Sequence, residues 1–113
     1  MSETQRKIQE FKRGNKQDKV NYPQLKNDNY YVDFRYKFIA QATADGCEQV
    51  LDRSYTPENA EELELDLEMN KFIYLVLLHC FQTGKSKQLV RINYESQDAR
   101  KVFFEYSDYY CWV

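Results

Sequence analysis

One run in this 113-residue chain comes near a ligand-binding pattern: HCFQTGKSK, residues 79–87. Gly84, Lys85 and Ser86 match the end of a G-x-x-x-x-G-K-[ST] loop, whose backbone cradles phosphates while its lysine neutralises them. His79 stands where the first glycine is required, and the residues before it carry a helical pattern rather than the strand that such a loop follows. Nucleotide binding is not expected here. Lys85 and Lys87 read more simply as cations beside the negative end of a helix dipole.

The other reactive side chains are scattered. His79 is the only histidine and sits among apolar residues, the setting of a core or boundary histidine rather than of a catalyst. No serine or cysteine has the partners for a nucleophilic triad. Cys47, Cys80 and Cys111 are far apart and form no CxxC pair, so neither zinc nor a disulfide framework is signalled, and reduced, inert thiols are expected. Glu58, Glu61, Glu62, Glu64, Asp66 and Glu68 lack the spacing of a calcium loop and read as a solvated helix face. The expectation is a non-enzymatic chain with no catalytic residue, no metal, no cofactor and no small-molecule substrate.

Charge suggests two macromolecular partners. In residues 1–26, seven cations face three acids, and a mobile basic arm is expected there, with Ile8 and Phe11 able to form one short amphipathic turn. Arg6, Lys7, Lys12, Arg13, Lys16 and Lys19 could contact RNA, although a solvated tail is the simpler reading and the net charge of −2 does not itself point to nucleic acid. An acidic helix half further on could meet such an arm from a neighbouring copy. Ten tyrosines exceed what a small helical core needs, and tyrosine is enriched at interfaces. Tyr106, Tyr109, Tyr110 and Trp112 therefore either cover the core or mark a self-association surface. The N-terminal MSETQRKIQEFKRG has no apolar stretch of a secretory signal, and a cytoplasmic location is expected.

These residues must be positioned by helices. Three Gly and two Pro leave few turns for a many-stranded sandwich. The central element is a long helix expected from an N-cap at Thr56, with Pro57 in its first turn, to a terminator at Gly84. Leu63, Leu67, Tyr74, Leu77, Leu78 and Phe81 are expected to form its buried stripe, and the nearly continuous apolar run from Phe72 to Phe81 to be buried all round. Its acidic N-terminal half is expected to protrude into water. That run is too short for a bilayer, which needs about 20 residues.

Around this rod, residues 30–45 read as a first core helix, with Tyr31, Phe34, Phe38 and Ala42 inward, Tyr30 and Ile39 widening the stripe and Gly46 ending it. CEQVLDRSY reads as a short helix burying Val50 and Leu51. KSKQLVRINYES reads as another, carrying Leu89, Val90 and Ile92, with a strand as the alternative. Residues 97–110 form the last, capped by Ser96 and facing inward through Ala99, Val102, Phe103, Tyr106 and Tyr110. The apolar tail CWV is expected to mark a truncated chain.

Taken in order, LKNDNYYVDFRYKFIAQATADGCEQVLD, the acidic–apolar helix and SQDARKVFFEYSDYY resemble the N-terminal part of the Gag-like capsid polypeptide of copia-type LTR retrotransposons. In that family a leucine and an N-Y-x-x-W box open the first core helix. A V-hydrophobic-D/G step follows about 16 residues later, and a T/S-A-x-x-hydrophobic-W/L-x-x-L-x-x-Y helix comes later still. Leu25, Tyr31 and Phe34 occupy the box, with Phe34 in place of tryptophan and Asn29 one residue out of step. Val50, Leu51 and Asp52 match the second motif, and Ser96, Ala99, Val102, Phe103, Tyr106 and Tyr109 or Tyr110 the third. The zinc knuckle that many such proteins carry downstream is not within these residues, so zinc-dependent RNA binding is not expected of them.

The resulting expectation is an all-α, single-domain bundle of about five helices spanning residues 27–113, behind the basic arm of 1–26. The resemblance implies a structural protein that self-associates into a particle around the element's RNA. The alternatives are a host protein–protein interaction module of helical type and a small RNA-binding protein using the arm. No membrane partner is expected.

Overall fold

The computed structural model describes residues 2–13 and 21–111. It is all-α: α1 (Glu3–Arg13), α2 (Tyr31–Ala44), α3 (Ala60–Cys80), α4 (Gly84–Ile92) and α5 (Ala99–Cys111), with short 3-10 turns at Asp28–Tyr30 and Glu48–Leu51. Among the described residues the extended pairing is one parallel bridge between Leu25 and Phe81. No helix among them is long and apolar enough to cross a membrane.

Local chemistry shortens the central helix at both ends. Asn59, not Thr56, is its N-cap: the Asn59 side-chain oxygen accepts from the Glu62 N–H at 2.9 Å, while the Glu62 carboxylate accepts from the Glu58 N–H at 3.2 Å. Together the two side chains satisfy two donors, more than a lone hydroxyl at Thr56 could. At the other end, Gly84 does not stop α3 but starts α4. Thr83 Oγ1 accepts from the Ser86 N–H at 3.2 Å and Ser86 Oγ accepts from the Thr83 N–H at 3.0 Å, a full capping box. The chain between the helices is extended at Phe81 and held by Leu25, whose N–H donates to the Cys80 carbonyl and whose carbonyl accepts from Gln82.

The buried stripe of α3 is also rotated from the expected one. Leu65, Met69, Ile73, Tyr74, Val76, Leu77 and Cys80 are buried, whereas Leu63, Leu67, Leu75 and Leu78 are exposed. The C-terminal half is therefore not enclosed: α1, α4 and α5 cover its flanks and leave an outer strip of leucines uncovered.

α2 buries Tyr31, Phe34, Phe38 and Ala42 as its spacing predicts, and Gly46 ends it at a φ of +76°, a conformation that glycine adopts without strain. Tyr30 is exposed, because it closes the 3-10 turn ahead of the helix instead of widening the stripe. Asn27 caps that turn, accepting from the Asn29 N–H. In α4, Leu89 and Val90 are buried and Ile92 is exposed. α5 starts at Ala99 rather than at residue 97. The Asp98 carboxylate accepts from the Lys101 N–H, and Ser96 instead donates to the Asn93 carbonyl, so Ser96 is not the cap.

The core is a continuous set of aromatic rings. Phe34 lies 5.2 Å from Phe38 and 5.6 Å from Phe81, Phe38 5.8 Å from Phe103, and Tyr106 4.9 Å from Tyr31 and 5.2 Å from Phe81. Such pairs add about 0.5–1.5 kcal/mol each beyond area burial. The buried hydroxyls find acceptors: Tyr22 donates to Asp45, Tyr74 to the Val90 carbonyl and Tyr106 to Asp28.

Residues 3–13 are not an arm detached from this core. Ile8 is buried and the Phe11 ring lies tilted 6.0 Å from that of Phe72, so α1 lies along α3. Tyr22 and Leu25 are buried too, and Tyr22 sits 5.0 Å from Phe38. The packed domain therefore begins before residue 27, because the few apolar residues of the basic segment are placed where α3 can cover them.

Candidate functional site

The reactive groups lie apart. His79 is exposed on α3, and its carbonyl accepts from the Gln82 side chain. Cys47 and Cys80 are buried. Burial pushes both thiols up to about 12, with the charges of Asp45 and Glu48 adding to the effect at Cys47. Both are protonated at neutral pH and poor nucleophiles. Gly84, Lys85 and Ser86 form the first turn of α4 after a helix, not a phosphate loop after a strand, and the Ser86 hydroxyl is engaged in the cap. Among the described residues no group of three or more His, Cys, Asp and Glu converges to hold a metal ion.

Asp66 departs from the expected solvated acids. It is 5% exposed and takes both terminal nitrogens of Arg100, at 2.7 and 3.1 Å, plus a bond from Gln49 Nε2 at 3.1 Å. Arg100 also donates to the Gln49 carbonyl at 3.1 Å, and its backbone N–H donates to Asn70 Oδ1 at 3.0 Å. Asn70 in turn donates to Asp98 at 3.0 Å. Hydrogen bonding to Asp66 raises the Arg100 guanidinium above its ordinary range. This network ties α3, α5 and the Glu48–Leu51 turn together, and Arg100 Nε is the one atom of it that is buried without a hydrogen-bond partner among the described residues. Asp66 and Asn70 stand one helical turn apart, a signal available in the sequence but hidden among five neighbouring acids.

The basic segment is partly neutralised within the chain. Lys12 reaches Glu64 at 3.1 Å, Gln5 and Ser2 donate to Glu61, and Lys7 lies 4.0 Å from Glu3. The acidic half of α3 thus meets a basic helix, but one from the same chain. Arg6 is exposed. Lys16 and Lys19 lie outside the described residues, as does the Arg13 side chain.

The nine motif positions come together. Leu25, Tyr31, Phe34, Val50, Leu51, Ala99, Val102, Phe103 and Tyr106 are all buried in one cluster. Asp52, which follows Val50 and Leu51, accepts from the Ser54 N–H and hydroxyl, and these bonds hold its carboxyl below the usual range. The proposed self-association set separates. Tyr106 is fully buried between Tyr31 and Phe81 and cannot meet another molecule, because it is the inward position of α5. Tyr110 packs against Tyr31 at 5.1 Å and is half-buried, Tyr109 is exposed with Lys85 over its ring at 5.1 Å, and Trp112 lies outside the described residues.

Two exposed apolar faces depart from the sequence expectation. One is the outer strip of α3. The other is an open groove of about 760 Å³ between α2 and α5, lined by Val32, Tyr36, Ile39, Phe104 and Tyr110, with Arg53 stacked 4.4 Å over Phe104 and paired to Asp108. Val32 and Tyr36 share one side of α2, and their four-residue step was the available signal. Compared with protein-family models, with curated proteins and with solved structures, the chain gives no match.

Proposed function

We propose that this domain is a non-enzymatic building block: a Gag-like capsid domain of the copia type that self-associates in the cytoplasm into a particle around element RNA. The observation that carries this reading is the concentration of all nine motif positions in one core, drawn from the segment at Leu25, from α2, from the Glu48–Leu51 turn and from α5. The residues by which the chain resembles that family are all part of its buried core. A rigid unit with exposed leucine and tyrosine faces suits assembly through many weak, repeated contacts, whose avidity exceeds that of any single one.

RNA would meet the exposed cations of α1, Arg6 and Lys7 first. A small RNA-binding protein acting by itself is less well supported, because Lys12 is paired to an acid of α3. The groove between α2 and α5 favours a second reading, a helical module that holds another protein. Sedimentation and electron microscopy of the purified chain with single-stranded RNA test the first reading. RNA-dependent particles that disperse as salt rises are expected. A chain that stays small with RNA at low salt would overturn it.

A further inference from the structure

The outer face of α3 carries an arrangement that self-association alone does not require. Leu63, Leu67, Leu75 and Leu78 are 48, 50, 37 and 43% exposed. Steps of four, eight and three residues keep them on one side of the helix, along a strip of about 22 Å from first to last. Charge along the strip is polarised. From Glu61 to Glu68 α3 holds acids and no cation; from Lys71 to its end it holds no acid. Glu61, Glu64 and Asp66 are engaged within the chain by α1 and Arg100, which leaves Glu68 and, just ahead of the helix, Glu58 without an ion pair to any described residue. Beyond it, α4 adds Lys87 and Arg91, which line a hollow of about 300 Å³ beside Leu78. Lys71, Lys87 and Arg91 are exposed and make no ion pair with any described residue.

We propose that this face pairs two copies of the chain with their α3 helices antiparallel. The pairing rests on the self-association reading above and specifies its surface. A parallel arrangement would stack acid on acid at one end and base on base at the other. An antiparallel one sets the acidic end of each copy on the basic end of the other, and a single two-fold axis satisfies both ends together. The register that keeps the two Lys71 side chains apart places Lys71 beside Leu67 and Glu68 of the second copy. It also sets Leu75 beside Leu63, Leu78 beside Ala60, and Lys87 and Arg91 towards Glu58. The groove between α2 and α5 carries one further cation, Arg35, but no free acidic end to match it, since Asp108 is already paired with Arg53, so it lacks the two-ended polarity that selects a second copy.

The test uses the full chain and three variants; of the positions changed on this face, Glu58, Leu63, Leu75, Lys87 and Arg91 are exposed and Glu68 is half-buried. Circular dichroism and the melting temperature check that each remains folded. Glu58→Lys/Glu68→Lys and Lys87→Glu/Arg91→Glu are each expected to weaken dimerisation about tenfold or more, and an equimolar mixture to restore it as a heterodimer. In a Cys111→Ser background, Leu63→Cys/Leu75→Cys is expected to form a disulfide-linked dimer under mild oxidation, whereas either single cysteine is not. Within one chain these positions are about 18 Å apart along the helix, too far to bridge. Unchanged self-association in both charge variants, or cross-linking by the single cysteines, would overturn the antiparallel pairing and leave self-association standing. A parent chain that is monomeric at every concentration would remove both.

Discussion

Replacing Arg100 by methionine tests how the bundle is held together. The substitution keeps most of the side-chain length and removes the guanidinium that gives Asp66 two bonds, at 2.7 and 3.1 Å. Asp66, 5% exposed, would retain only the Gln49 amide. Stranding a buried charge costs about 3–5 kcal/mol. The Arg100 side chain is itself 23% exposed, so water reaches the site and the lower end, about 3 kcal/mol, applies. Removing both charges, in Asp66→Leu/Arg100→Met, leaves only amide groups short of a partner and should cost about 1–2 kcal/mol. The double variant should therefore be more stable than the single one, with a coupling of at least about 1 kcal/mol. Urea unfolding followed by circular dichroism measures this. For a domain of this size a 3 kcal/mol loss moves the midpoint by roughly 1–3 M. A single variant within about 0.5 kcal/mol of the parent, or a double variant as damaged as the single, would refute the argument.

Other expectations follow from the same contacts. Asn59→Ala should lose about 1 kcal/mol by urea unfolding, while Thr56→Ala should stay within about 0.5 kcal/mol, since Asn59 is the cap of α3. Phe38→Ala should cost about 3–5 kcal/mol and Tyr36→Ala far less, because Phe38 is fully buried and Tyr36 is 76% exposed. Gly46→Ala should cost about 1–2 kcal/mol, the strain of an L side chain at a φ of +76°. Stability should fall with rising alkalinity: the Cys47 and Cys80 thiols titrate near 9.0 when unfolded and about 12 when folded, so the folded state binds more protons between those values. Their contribution is full below pH 9 and lost as pH rises towards 12; pH titration of the melting temperature under reducing conditions checks this, and a flat profile across that window would contradict it.

Much of the bundle could be read from spacing. Tyr31, Phe34, Phe38 and Ala42 on α2, and Ala99, Val102, Phe103 and Tyr106 on α5, fall at three- and four-residue steps and are buried as those steps imply. The central helix was harder because its second half is apolar on every side, so periodicity could not say which side faces water. The answer came from α1 and α4, whose own apolar residues cover the flanks and leave Leu75 and Leu78 outside. Thr56–Pro57 and Gly84 are each sound helix signals taken singly, but both give way to stronger side-chain caps, Asn59 on the Glu62 N–H and the Thr83–Ser86 capping box. Asp66 was hidden because its partner, Arg100, lies 34 residues away and only the fold brings them together. The split of Tyr106 from Tyr109 has the same origin: composition marks both for interfaces, and helix phase sends one inward.

The most direct measurement is the molar mass of the purified chain by light scattering across a concentration series at low and high salt. If copies pair through α3, the mass climbs reversibly above that of the 13.7 kDa monomer as concentration rises, and climbs less when salt screens the acidic and basic ends of α3. A mass that stays at the monomer value under every condition would contradict that pairing.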